Sequence, residues 1–158
     1  MNKEKLLFIG KVTFAHVFTY MLCGLIAMNL FNYGDYWTLN QDTLRSLDDP
    51  VYYFTIPIQM LRGILYSIVL LLIKDSIVYS KFGVLKLYVI LIILGIFNCP
   101  DILPGSIEGF LHMAPNNDLM RIKIGGKLEI LTQNLLFCII VCTNWKNVKE
   151  RILKSKTK

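Results

Sequence analysis

The chain has 158 residues, of which 54% are hydrophobic and 18% charged, and its mean hydropathy is +0.51. This apolar content exceeds what the core of one soluble domain of this length can bury, so a soluble globular protein is excluded and lipid is the expected solvent. The net charge of +6 does not indicate nucleic-acid binding, because six of the seventeen Lys and Arg residues lie between Lys146 and Lys158, directly after an apolar run. We expect this basic tail to be cytoplasmic and to contact anionic lipid headgroups.

Four apolar segments have the composition of membrane-spanning helices. A span needs about 20 predominantly apolar residues, and the segments that approach or reach this length are 12–30, 51–73, 82–98 and 128–145. The sequence therefore predicts an all-α fold, an integral membrane four-helix bundle. Residues 1–158 are expected to form a single polytopic membrane domain that ends in a basic cytoplasmic tail at 146–158.

The distribution of basic residues predicts the orientation of the spans, since Lys and Arg in short loops resist translocation. Twelve of the seventeen lie before the first span, between the second and third together with Lys86 at the start of the third, or after the fourth, whereas only four lie on the opposite side. This asymmetry predicts a multi-pass protein of the cell membrane, inner or plasma, with an N-in, C-in topology.

The segment before the last span differs from an ordinary loop. It is too apolar to lie free in water, yet Pro104, Gly105 and Gly109 are incompatible with a fifth span. We expect an interfacial or re-entrant piece, because backbone polar groups at membrane depth have to be satisfied by the protein.

Arg62 is the most informative polar residue, because it lies near the middle of the second span. A central arginine costs roughly 2.5 to 3.5 kcal/mol on insertion scales, which the surrounding apolar residues offset. Its side chain then has to face protein, water or an anion. Glu129 and Glu108 are equal candidates for an ion pair with Arg62, which could serve only to lock two helices together.

The candidate ligand-binding residues are the polar groups expected in the outer half of the bundle around Arg62. They are Arg62, Gln59, Glu108, His112, Glu129 and Gln133. No metal is predicted, since the two histidines lack an HxxxH or ExxH spacing and the four cysteines contain no CxxC pair. No cofactor is predicted either, and catalytic residues are unassigned. His16, in the first span, is a helix-to-helix hydrogen bonder or, alternatively, part of a proton relay.

Small side chains predict where helices approach each other, because close approach in lipid requires them. In the first span they recur every four residues on one face, and in the second span two small residues follow Gln59. The positions are Ala15, Thr19, Cys23 and Ala27 in the first span, and Gly63 and Ser67 in the second.

These features favour a small binding or transport-type membrane protein, or a subunit of a membrane complex, with an outward-opening polar pocket around Arg62. An arginine suits a carboxylate or phosphate ligand. The alternatives are a membrane scaffold without a ligand, or a membrane enzyme acting on a lipid-linked substrate with Glu108, His112 and Glu129 as acid and base candidates. No nucleophile or nucleotide motif supports the enzyme. The expected partners are the lipid bilayer and other membrane subunits or a second copy of the chain.

Overall fold

A computed structural model describes residues 3–34, 48–97 and 120–143, with side chains at 96–97 and 120–124 excepted. Almost all of these residues are helical, and no strand occurs within the three ranges. The predicted all-α class is therefore confirmed for the part of the chain that the structure describes.

Within those ranges the chain forms four α-helices. They are α1 (Lys3–Phe31), α2 (Thr55–Ile73), α3 (Gly83–Ile92) and α4 (Met120–Cys142). A 3-10 turn, Pro50–Phe54, leads into α2, and short π-helical segments follow α2 at Lys74–Val78 and α3 at Ile93–Phe97. Together these segments cover the described parts of all four predicted spans except the end residues Phe82 and Thr143.

Three of the described helical stretches are long and apolar enough to cross a membrane: Lys3–Phe31, Pro50–Val78 and Gly125–Cys142. The stretch in the third predicted span, Gly83–Gly95, is shorter. At 1.5 Å per residue it extends about 20 Å, against roughly 30 Å of hydrocarbon. The last helix begins at Met120, eight residues before the predicted span at 128–145, so the helix extends beyond the apolar run at its N-terminal end.

Local sequence explains where two of these elements begin and end. After α1, Asn32 has φ 51°, a left-handed conformation that asparagine tolerates better than most residues and that commonly ends a helix. At the start of the 3-10 turn, the Asp49 carboxylate accepts a hydrogen bond of 2.9 Å from the Val51 amide. Pro50 occupies the first position of that turn, where its missing N–H is not needed.

Helix α1 packs between α2 and α4, and α3 packs against α4. Pairs of contacting residues show that α1 is antiparallel to α2, since Thr13 lies beside Gly63 while His16, further along α1, bonds Gln59. Helix α4 is also antiparallel to α1. Its C-terminus meets Lys11, and its N-terminal half meets Phe31 and Tyr33. We call these two ends of the molecule the Lys11 end and the Tyr33 end.

The predicted small-residue faces are buried between helices, which confirms the packing prediction. Ala15 and Thr19 have no exposed surface, and Cys23 and Ala27 are nearly as deeply buried. On α2 the facing residues Gln59, Gly63 and Ser67 are also buried. A Cβ atom added to Gly63 would lie 2.8 Å from the Thr13 Cα, so the two helix backbones approach each other here more closely than any larger residue would allow.

The apolar core occupies the Lys11 half of the molecule and receives residues from all four helices. Its members are Phe8, Val12, Ala15, Leu70, Val78, Leu87, Phe137, Cys138 and Val141. Large aliphatic side chains also cover the outside, such as Leu72, which is 83% exposed. Exposed apolar surface on this scale marks a surface that another apolar phase covers.

Candidate functional site

The interior of the α1–α2 contact carries a hydrogen bond between two buried polar side chains. His16 Nε2 and Gln59 Oε1 are 3.0 Å apart, and in this arrangement the imidazole N–H donates to the amide oxygen. Both residues are only 6% exposed. Two aromatic rings enclose the imidazole edge to face, at centroid distances of 5.0 Å for Tyr66 and 6.1 Å for Phe137. Of the two alternatives for His16, the structure therefore shows the helix-to-helix hydrogen bond.

Arg62 lies one helical turn from Gln59 but outside the helix contact. Its side chain is exposed and forms no hydrogen bond or ion pair with any residue that the structure describes. Along the apolar stretch Pro50–Val78 it is twelve residues from one end and sixteen from the other. A guanidinium therefore projects from the middle of a helix whose other exposed side chains are largely aliphatic, as at Leu61 and Leu65.

Further hydrogen-bond donors lie near Arg62, on α2 and on the facing part of α1. Because the Gln59 oxygen accepts from His16, the amide N–H groups of Gln59 remain available as donors. The Thr13 hydroxyl, across the Gly63 contact, is buried without a hydrogen-bond partner. Outside the helix contact, the Arg62 guanidinium and the Gln59 N–H groups are thus donors without an acceptor among the described residues, a balance that favours an anionic ligand or partner group.

Glu129, the other charged candidate on a described helix, is engaged elsewhere. The Tyr33 hydroxyl donates a hydrogen bond of 2.8 Å to Glu129 Oε2, and the Oε1 atom lies against Gly24. Partial burial of Tyr33, together with the hydrogen bond and the charge of Glu129, raises the pKa of the phenol. This pair joins the end of α1 to α4 at the Tyr33 end.

The structure does not bring Arg62 and Glu129 together. Glu129 lies level with Gly24, which is eight residues, or about 12 Å, along α1 from His16. His16 bonds Gln59 on α2, and Arg62 lies about 4.5 Å along α2 from Gln59, in the direction away from Glu129. An arginine side chain cannot extend over the sum of these distances, so the expected ion pair with Glu129 is not formed.

The remaining predicted site residues divide into two groups. Gln133 is half-buried on α4, without a hydrogen bond to a described residue. Glu108 and His112, the re-entrant segment to which they belong, and the basic tail lie outside the described residues. Within the described ranges no group of three His, Cys, Asp or Glu side chains is placed to hold a metal ion.

Sequence reasoning missed the role of Lys11. Its ammonium group donates hydrogen bonds of 2.7 Å to the carbonyl oxygens of Val141 and Thr143. A cation at this position satisfies carbonyls that the last turn of α4 leaves unpaired and complements the negative end of the helix dipole. The sequence does show a lysine that interrupts an apolar run. That pattern does not indicate which carbonyl groups the lysine binds.

Comparison with protein-family models, with curated proteins and with solved structures gives no match for this chain. The main polar feature of the described helices is a mid-helix arginine, next to a buried His–Gln pair, on the outer surface of an apolar helix.

Proposed function

We propose that this protein is a subunit of a membrane complex and that Arg62 binds an anionic side chain of a partner's membrane helix. The observation that carries the proposal is the exposure of Arg62 in the middle of an apolar helix, without a partner among the described residues. An arginine at that depth requires protein, water or an anion around it. A carboxylate on a neighbouring helix supplies a negative charge at the depth of Arg62. A lipid headgroup supplies its negative charge only at the membrane surface.

The surroundings of Arg62 support a binding role over a purely internal one. A lock between the helices of one chain would place the guanidinium inside the α1–α2 contact, where His16 and Gln59 already form the polar interaction. Arg62 instead points away from that contact, and the free N–H groups of Gln59 offer a second donor next to it. Two adjacent donors suit the two oxygens of a carboxylate.

We further propose that the chain crosses the membrane four times, as a bundle with both ends in the cytoplasm. The contacts at the Lys11 end support this topology. Phe8, near the N-terminus, packs edge to face on Tyr79 of the α2–α3 turn, and Lys11 bonds the C-terminal carbonyls of α4. Three cytoplasmic segments predicted from basic residues would thus share one side.

Thiol labelling tests this topology in a variant whose native cysteines are replaced. Single cysteines at Asn2 and Lys158 should be protected from an impermeant reagent in intact cells, and a cysteine at Asn40 should be labelled. Permeabilised cells provide the control, since all three positions should then react. Labelling of either terminus in intact cells, or protection of position 40, would contradict the proposed orientation.

Native electrophoresis tests the role of Arg62. Wild-type protein, extracted from membranes in a mild detergent, should migrate as a complex well above the 18.2 kDa monomer. Arg62→Ala should shift it toward the monomer, because the partner carboxylate loses its counter-charge, whereas Leu65→Ala, on the same exposed surface, should not. Co-expression of two differently tagged copies then shows whether the partner is a second copy of this chain.

Two results would count against a complex that Arg62 holds together. Wild-type protein that migrates as a monomer would refute it directly. A complex whose size is the same for Arg62→Ala as for Leu65→Ala would show that Arg62 is not the contact. If Arg62→Ala and Glu108→Ala instead destabilised the monomer non-additively, the arginine would pair within its own chain, as the scaffold alternative requires.

A further inference from the structure

A cavity of about 370 Å³ lies at the Lys11 end, between the α2–α3 turn and the second half of α4. The residues of its wall that matter here are Lys81, Val84, Leu85, Tyr88, Leu135 and Cys142. This cavity is separate from the Arg62 surface, and none of the residues in the proposed complex contact lines it.

The turn that forms one wall is held in place by its own hydrogen bonds. The Ser80 hydroxyl donates to the Ile77 carbonyl at 2.9 Å, and the Gly83 amide donates to the Ser80 carbonyl at 3.0 Å. A Cβ atom on Gly83 would lie 2.5 Å from the Val78 carbonyl oxygen, so this close approach requires glycine. The wall is therefore a defined surface and not a gap between loosely packed side chains.

The cavity is lined by apolar side chains together with one cationic side chain, Lys81. On α4, Leu135 and Cys142 are seven residues apart, which gives a largely apolar wall about 10 Å long. At the turn, the exposed ammonium group of Lys81 lies 5.6 Å from the centre of the Phe82 ring. Tyr88 also lines the cavity, and its hydroxyl has no hydrogen-bond partner among the described residues.

We propose that this cavity binds an anionic phospholipid of the leaflet at the Lys11 end. The phosphate contacts the Lys81 ammonium group, and an acyl chain lies along Leu85 and Leu135. Charge complementarity supports this occupant, because residues 74–86, which include the turn, carry Lys74, Lys81 and Lys86 against a single acidic residue, Asp75. A soluble phosphate would use the ammonium group but not the apolar wall, and a zwitterionic lipid would use the wall but add no net negative charge.

Native mass spectrometry of the full-length protein tests this site with two named probes. Phosphatidylglycerol and phosphatidylcholine with identical acyl chains are added in equal amounts to protein in detergent. We expect wild-type protein to retain phosphatidylglycerol preferentially. Lys81→Gln should reduce that preference about fivefold, the effect expected for one lysine near anionic lipid. Lys5→Gln, an exposed lysine outside the cavity, should leave it unchanged.

A second pair of variants tests the apolar wall. Leu135→Trp fills the cavity and should reduce retention of both lipids, whereas Leu94→Trp, an exposed position outside the cavity, should not. Glycerol phosphate without acyl chains should not compete at the same concentration. Equal retention of the two lipids by wild-type protein would overturn the proposal, as would an unchanged preference in Lys81→Gln. Neither result depends on whether Arg62 contacts a partner.

Discussion

Substitution of Gly63 provides a direct test of how α1 and α2 pack. The alanine Cβ in Gly63→Ala would lie 2.8 Å from the Thr13 Cα, whereas non-bonded carbon atoms prefer about 3.5 to 4.0 Å. The two helices would therefore have to separate locally by about 1 Å. The same movement would stretch the His16–Gln59 hydrogen bond, one turn away, from 3.0 Å to about 4 Å, beyond hydrogen-bonding distance.

The expected free-energy change combines three contributions. Overpacking costs about 1–3 kcal/mol, and loss of an interhelical hydrogen bond in a membrane protein costs about 0.6 kcal/mol. The higher helix propensity of alanine offsets about 1 kcal/mol. Gly63→Ala should therefore destabilise the protein by about 0.5–2.5 kcal/mol.

Equilibrium unfolding in mixed micelles, followed by circular dichroism, measures this change. Gly10→Ala is the matched control, because a Cβ atom at that position meets nothing within 4 Å. The control should stabilise the protein by up to about 1 kcal/mol through helix propensity alone. If Gly63→Ala stabilised the protein as much as Gly10→Ala does, the close α1–α2 contact would be refuted.

Two further predictions concern pairs of side chains. His16→Leu and Gln59→Leu should each destabilise the protein by about 1–2 kcal/mol, because each leaves a buried polar partner unsatisfied; in the same unfolding assay the double variant should cost clearly less than the sum. Additive effects would show that the two side chains do not interact. For Tyr33, a raised pKa means that its contribution to stability is complete below the unfolded value of about 10 and decreases as the pH rises above it. Tyr33→Phe should therefore reduce the loss of stability above about pH 10, and Glu129→Gln, which removes the neighbouring charge, should reduce it partly; an unchanged slope in Tyr33→Phe would exclude this linkage.

The Arg62 site illustrates how far sequence reasoning reaches. The depth of Arg62 follows from its position in the apolar run alone, and its need for a polar or anionic environment follows from the cost of a charge in hydrocarbon. The identity of its partner does not follow, because an ion pair depends on the relative height of two helices. In the structure Glu129 lies near Gly24 and bonds Tyr33, far along the helix axes from Gln59 and Arg62.

The sequence by itself determined the properties that depend on neighbouring residues along one helix. Apolar runs of sufficient length specified the helices, and the repeat of small residues from Ala15 to Ala27 specified the face of α1 that is buried. These patterns are local, because helical periodicity relates residues three and four apart without reference to the rest of the chain.

Only the tertiary structure decided which side chains meet across helices. His16 bonds Gln59, Lys11 bonds the end of α4, and Tyr33 bonds Glu129, with sequence separations of 43, 130 and 96 residues. Each contact requires the axial register of two helices, and that register is set where the backbones approach most closely, as at Gly63. No periodic pattern within a single helix encodes the axial register between two helices, so this register is decided only when the helices pack.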